Sequence, residues 1–143
     1  MSTCPPTADT GLLEHYVKKI LAAPVYDLAV RTPLQAAPAL SALLGNQVLL
    51  KREDLQPTFS FKIRGAANAI ALAPPDGLAR GVYTASAGNM AQGIALAARA
   101  RGVPCRVVLP DSAPQAKVEA IRRLGAITVP VPYDEWWSAL CDH

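Results

Sequence analysis

The chain has 143 residues, 14 Lys and Arg against 11 Asp and Glu for a formal charge of +3, and 51% hydrophobic residues, a composition that suits one globular domain. Its basic residues are scattered (Lys18, Lys19, Lys51, Arg52, Arg99, Arg101, Arg122, Arg123), so a pI near 8.9 does not indicate nucleic acid. No apolar run reaches the roughly 18 residues of a membrane span, MSTCPPTADTG has no signal-peptide pattern, and Cys4, Cys105 and Cys141 with His15 and His143 make neither a disulfide framework nor a metal motif, so a cytoplasmic, metal-free protein is expected.

Residues 1–11, rich in Thr and Pro, read as a flexible leader. Leu13, Tyr16, Val17, Ile20 and Leu21 then fall at helical spacing between Thr10, a candidate N-cap, and Pro24. Thr32-Pro33-Leu34 predicts an extended connection, and residues 39–44 a short helix stopped by Gly45-Asn46. Residues 47–51 predict the first strand. A regular alternation follows: helix 62–72, a strand centred on Val82-Tyr83, helix 89–100, strand 106–109, helix 114–124, strand 127–129 and a helical segment from Asp134. Pro114 suits a first helical turn, and Gly102 and Gly125 suit helix ends. Strands and helices alternating through short joints imply an α/β fold with a mainly parallel sheet and right-handed crossovers.

Two segments carry chemistry. In Lys51-Arg52-Glu53-Asp54-Leu55-Gln56-Pro57-Thr58-Phe59-Ser60-Phe61-Lys62-Ile63-Arg64-Gly65-Ala66, a turn at Gln56-Pro57 leads into a helix capped by Thr58 or Ser60, with Lys62 in its first turn. The helix dipole, burial beside Phe59 and Phe61, and a nearby Arg64 would all disfavour an ammonium there and favour a nucleophilic amine; position alone also allows a solvated first-turn lysine. In Thr84-Ala85-Ser86-Ala87-Gly88-Asn89-Met90-Ala91-Gln92-Gly93, small residues join a strand end to a helix start. The free N–H groups of that turn suit a carboxylate or phosphate, and an ordinary strand-to-helix turn capped by Ser and Asn is the alternative.

The first segment, contiguous from Glu53 through Thr58, Phe59-Ser60-Phe61-Lys62 and Ile63-Arg64-Gly65-Ala66, resembles the cofactor attachment site of the serine/threonine dehydratases. These belong to the tryptophan-synthase β-like, fold type II pyridoxal-phosphate family. Tyr16-Val17-Lys18-Lys19-Ile20-Leu21 and Val25-Tyr26-Asp27 resemble the biosynthetic threonine dehydratases in particular, and the likeness runs over about residues 12–140. The resemblance implies a parallel-sheet, three-layer α/β architecture. It also implies pyridoxal 5′-phosphate held by Lys62 as an internal aldimine, with Phe61 against the pyridine ring and Asn89 on the 3′-oxygen. Ser86, Ala87 and Gly88 would hold the carboxylate of a threonine or serine substrate. Threonine would lose its α-proton to Lys62 and its β-hydroxyl, and give 2-oxobutanoate and ammonia, a step of isoleucine biosynthesis. Met90 stands where many dehydratases have His; a thioether cannot transfer a proton, so it is expected to shape the pocket. Phe59-Ser60-Phe61-Lys62 with Arg64-Gly65 favours the dehydratase or serine racemase branch over cysteine synthase and threonine synthase relatives.

Family members hold the cofactor phosphate in a glycine-rich loop, and this sequence has no Gly-Gly-Gly run. The resemblance therefore implies that residues 12–143 are the N-terminal portion of a catalytic domain, incomplete at its C-terminus, with weak activity in isolation. Trp136, Trp137, Leu140 and Cys141 form an apolar stripe suited to later chain, a homo-oligomer partner, or a full-length relative paired with a non-catalytic module. Cys105 reads as a small core residue, and Lys117, Glu119, Arg122 and Arg123 as a solvated helix face.

Overall fold

A computed structural model of the chain describes residues 10–136 and 138. In chain order it contains helix α1 (Thr10–Ala22), a 3-10 turn (Val25–Asp27), strand β1 (Leu34–Ala36), α2 (Pro38–Leu44), β2 (Leu49–Lys51), a second 3-10 turn (Glu53–Leu55), α3 (Lys62–Leu72), the short α4 (Pro75–Ala79), β3 (Val82–Ala85), α5 (Asn89–Ala100), β4 (Cys105–Pro110), α6 (Gln115–Arg123) and β5 (Ile127–Val131). None of these helices is long and apolar enough to cross a membrane.

Strands β3, β4 and β5 form a parallel sheet in that order, with Thr84 opposite Val107 and Val108 opposite Val129. The central strand β4 is buried at Cys105, Val107, Val108 and Leu109 and exposed at Arg106, so from Val107 onward it reads as a strand covered on both sides. Cys105, Val107 and Leu109 share one face and pack with Ala91, Ala95 and Ala98 of α5 and Val118 and Ile121 of α6. Burial also pushes the Cys105 thiol pKa up, as befits a core residue. Alanines along α3 and α5 let the two helices approach closely, since each adds only a methyl to the seam. Gly102 and Gly125, with φ of +65° and +96°, take the left-handed conformation just beyond α5 and α6 that lets the chain turn back into the sheet.

The first predicted strand lies elsewhere. Instead of joining the parallel sheet, β2 pairs antiparallel with β1, placing Leu34 opposite Lys51 and Ala36 opposite Leu49. The intervening α2 is too short for a crossover, and the turn after it is closed by Ser41, whose hydroxyl accepts the Val48 N–H at 3.0 Å, and by the Ala37 N–H donating to Val48 O at 3.0 Å. The extended connection at Leu34 is thus itself a strand. Thr10 is the first residue of α1 rather than a cap outside it. The helical stripe of Leu13, Tyr16, Val17, Ile20 and Leu21 is present but exposed. Helix α4 has no counterpart among the predicted elements, because Pro75, Asp76 and Gly77 are turn-forming residues, yet Pro is compatible with a first helical turn. After β5, the Glu135 and Trp136 N–H groups donate to Pro132 O at 3.0 and 3.1 Å, and Trp136 is half-buried. Trp137, Leu140 and Cys141 lie outside the described residues, and so does the stripe they were expected to form; of the leader, only Thr10 and Gly11 are described.

Candidate active site

Lys62 is the first residue of α3, and its N–H donates to the Ser60 hydroxyl oxygen at 3.2 Å. Neither cap candidate acts as one: the cap position falls to Phe61 with no side-chain cap, Ser60 only closes a local turn onto the Lys62 N–H, and Thr58 Oγ1 is buried with no partner among the described residues. The lysine is half-buried, and its ammonium nitrogen lies 5.5 Å from the centroid of the Phe61 ring. The expected apolar burial is not found: Phe59 is 79% and Phe61 59% exposed. Nor is Arg64 a free cation beside the lysine, because Glu53 neutralises it.

The second segment lies at the carboxyl end of β3. Ser86 extends the sheet ladder, donating its N–H to Val108 O at 2.9 Å, and its hydroxyl accepts the Gly88 N–H at 3.2 Å. Asn89 then begins α5, which has no side-chain cap. The N–H groups of the first turn are thereby left for a ligand or water, and the Asn89 side chain is exposed with no hydrogen bond among the described residues. A Cβ added at Gly88 would meet nothing within 4 Å, so the loop faces open volume.

Gly93 joins the two segments. A Cβ there would stand 3.2 Å from both Lys62 O and Ala66 Cβ, so α5 rides directly on the first turn of α3. The far halves also meet, with Ala67, Ile70 and Ala71 facing Ala97, Ala100 and Arg101 across a small cavity. The helices therefore run parallel with their N-termini at the same end. Asn89 lies one turn before Gly93 on the same face of α5, which puts it and the Ser86–Gly88 loop at the Lys62 end of the seam. A larger cavity, about 640 Å³ and lined by Arg80, Val82, Tyr83 and Arg106, lies at the opposite, amino-terminal ends of β3 and β4, away from these groups.

Sequence reasoning did not foresee how the lysine turn is held. Arg64 donates from Nε and Nη2 to the two carboxylate oxygens of Glu53 at 2.8 and 2.9 Å. The same carboxylate accepts the Thr32 hydroxyl at 2.5 Å and the Gln56 amide at 3.2 and 3.4 Å. Gln56, 1% exposed, exchanges hydrogen bonds of 2.9 Å with both the N–H and the carbonyl of Val30. Tyr26 lies beside the cluster, its ring centroid 5.4 Å from the Arg64 guanidinium. The bond from Arg64 holds the Glu53 carboxyl at about 2, well below its ordinary value, against a smaller opposing effect of burial. Glu53, Gln56 and Arg64 stand within one motif, but nothing in their spacing announces that they meet.

Residues 25–140 match the family model described as pyridoxal-phosphate dependent enzyme. The biosynthetic L-threonine dehydratase of Burkholderia multivorans is 57% identical over 116 residues, covering 81% of this chain and 23% of that protein. Threonine dehydratase 1 biosynthetic, chloroplastic, of Solanum lycopersicum is 52% identical over 122 residues, 84% of this chain and 20% of that protein. The chain thus spans about a fifth of the length of these curated relatives. Among solved structures, the processed form of threonine deaminase isoform 2 from S. lycopersicum superposes with a TM-score of 0.84 at 43% identity, over 95% of this chain and 38% of that one. Serine racemase from Dictyostelium discoideum gives a TM-score of 0.80 at 35% identity, over 87% of this chain and 42% of that one. The parallel α/β architecture is the fold type II arrangement that the sequence motifs imply, and the chain belongs to the family of pyridoxal-phosphate-dependent enzymes.

Proposed function

We propose that residues 12–143 form the lysine-bearing part of the catalytic domain of a threonine dehydratase. The observation that carries this reading is the Gly93 seam, which brings Lys62 and the Ser86–Asn89 loop, distant in sequence, to one end of two parallel helices. The groups present suit pyridoxal 5′-phosphate: an amine at Lys62, an exposed ring at Phe61, an amide at Asn89 with no hydrogen bond among the described residues, and open volume before Gly88. When bound, that cofactor delocalises the electron pair left at the substrate α-carbon. Lys62 Nζ would hold the cofactor and, as a free amine, would take up the substrate α-proton. The Ser86–Ala87–Gly88 loop would hold the substrate carboxylate through the Ser86 hydroxyl hydrogen and the Ala87 N–H, since the Ser86 and Gly88 N–H groups bond to Val108 O and the Ser86 hydroxyl, aided by the positive end of α5. Phe61 would pack against the cofactor ring, and the Asn89 amide would donate to its 3′-oxygen. Loss of the β-hydroxyl then gives a 2-oxo acid and ammonia, 2-oxobutanoate in the case of threonine, which the names of the curated relatives favour over serine. The full-length protein is read as a cytoplasmic homo-oligomer.

The test is to add pyridoxal phosphate to the purified chain, reduce with borohydride and map the modified peptide. Modification at Lys62, lost in Lys62→Ala with Lys51 and Lys117 unlabelled, is the expected result. Labelling spread evenly over the surface lysines would sink the assignment.

A further inference from the structure

We propose that Glu53 is a positioning residue for Lys62, acting through Arg64 to fix the first turn of α3. This rests on the reading of Lys62 as the reactive lysine. Arg64 is the third residue of α3, two positions after Lys62, and both of its bonds to Glu53 form in a planar fork. A shift or rotation of that turn would break the fork. On its other side Glu53 is tied to Thr32 and Gln56, and Gln56 to Val30, so one carboxylate joins the start of α3 to the segment before β1 and to the turn after β2.

Two further observations separate this pair from an ordinary surface ion pair. Its side chains are only 24% and 16% exposed, against 73% and 67% for Lys18 and Glu14 on α1. A partly buried pair is a poor source of stability compared with apolar packing, but it is demanding in geometry. The connection that it spans is also strained. Phe59 adopts φ of +53°, a left-handed conformation costly for a bulky residue, and its exposed ring gains little packing in return. That conformation persists because both flanks are fixed, by buried Gln56 before it and by buried Ser60 and the Arg64 fork after it. The network thus holds a locally unfavourable loop that presents Phe61 and Lys62 side by side.

The experiment compares the 143-residue chain with Glu53→Gln, Arg64→Lys, Arg64→Met and the control Glu14→Gln. The readouts are amide hydrogen exchange and the acylation rate of each lysine by a neutral amine reagent, resolved by mass spectrometry. In Glu53→Gln, exchange over residues 60–66 should rise at least tenfold while β4 stays within twofold, and Lys62 acylation should change at least threefold while Lys117 stays constant. Arg64→Met should reproduce this. Arg64→Lys, which keeps the charge but loses the fork, should fall between, and Glu53→Gln combined with Arg64→Met should be no worse than either alone. Exchange that rises equally in β4 would show a merely structural pair and overturn the proposal, as would unchanged protection at residues 60–66 or additive effects. Neither readout needs the cofactor, so the result stands apart from whether Lys62 binds pyridoxal phosphate.

Discussion

Replacing Gly93 tests the seam on which the site depends. Alanine is favoured over glycine inside a helix by about 1 kcal/mol, so an unobstructed Gly93→Ala would stabilise α5. Here the new Cβ would stand 3.2 Å from Lys62 O, 3.3 Å from Lys62 C and 3.2 Å from Ala66 Cβ, inside the ~3.5–4.0 Å of a comfortable carbon contact. Two of these three neighbours are backbone atoms in the first turn of α3, and that turn is held by the Arg64 fork. No flexible side chain can swing away, so the helices must part by a few tenths of an ångström. Overpacking of this kind costs ~1–3 kcal/mol, which leaves Gly93→Ala between neutral and ~2 kcal/mol destabilising after the propensity gain. Gly93→Val adds two methyls at the same point and should cost ~3 kcal/mol or more. Urea unfolding followed by far-ultraviolet circular dichroism gives both values, and an unchanged slope would show that the denatured state is unaffected. A Gly93→Val chain within 0.5 kcal/mol of the parent would refute the claim that this contact sets the helix separation, 0.5 kcal/mol being roughly the spread of surface substitutions.

Acid should weaken the fold through Glu53. Its folded carboxyl titrates at about 2 against an ordinary 4.5, so its contribution is fully present above pH ~5 and is lost as pH falls toward 2, with a ceiling of ~3 kcal/mol. Urea midpoints between pH 7 and 2.5 should decline less steeply in Glu53→Gln, and parallel curves for the two chains would count against this assignment. In the core, Ile121 is wholly buried between α6 and the sheet, and Ile121→Ala should cost ~2–5 kcal/mol in the same unfolding measurement; a loss under 1 kcal/mol would mean that the site collapses around the gap.

The helices α3, α5 and α6 and the strand β4 were legible because each carries its own signals. Apolar spacing sets the buried face, Pro114 marks an entry, and Gly102 and Gly125 mark exits within a residue or two of where they occur. Strand β2 was legible as a strand but not in its partner, since pairing depends on where the chain returns after α2, which residue type does not encode. The site was read in the same uneven way. Lys62 and the Ser86–Asn89 loop stand out by motif, whereas the expected burial of Phe59 and Phe61 beside the lysine did not follow from their being aromatic. Phe59 stands in a left-handed turn, and both rings are exposed.

Length and composition describe one ordinary domain, and 143 residues with a charge of +3 would fit many functions. What the sequence by itself determined was the family, because a contiguous motif around Lys62 and a second around Asn89 depend only on the order of residues along the chain. What only the tertiary structure decided was how those two motifs meet. Gly93 lets α5 reach the backbone of Lys62, and Glu53 locks the turn that bears it; both are contacts between segments far apart in sequence, fixed by packing and hydrogen-bond geometry rather than by local preference.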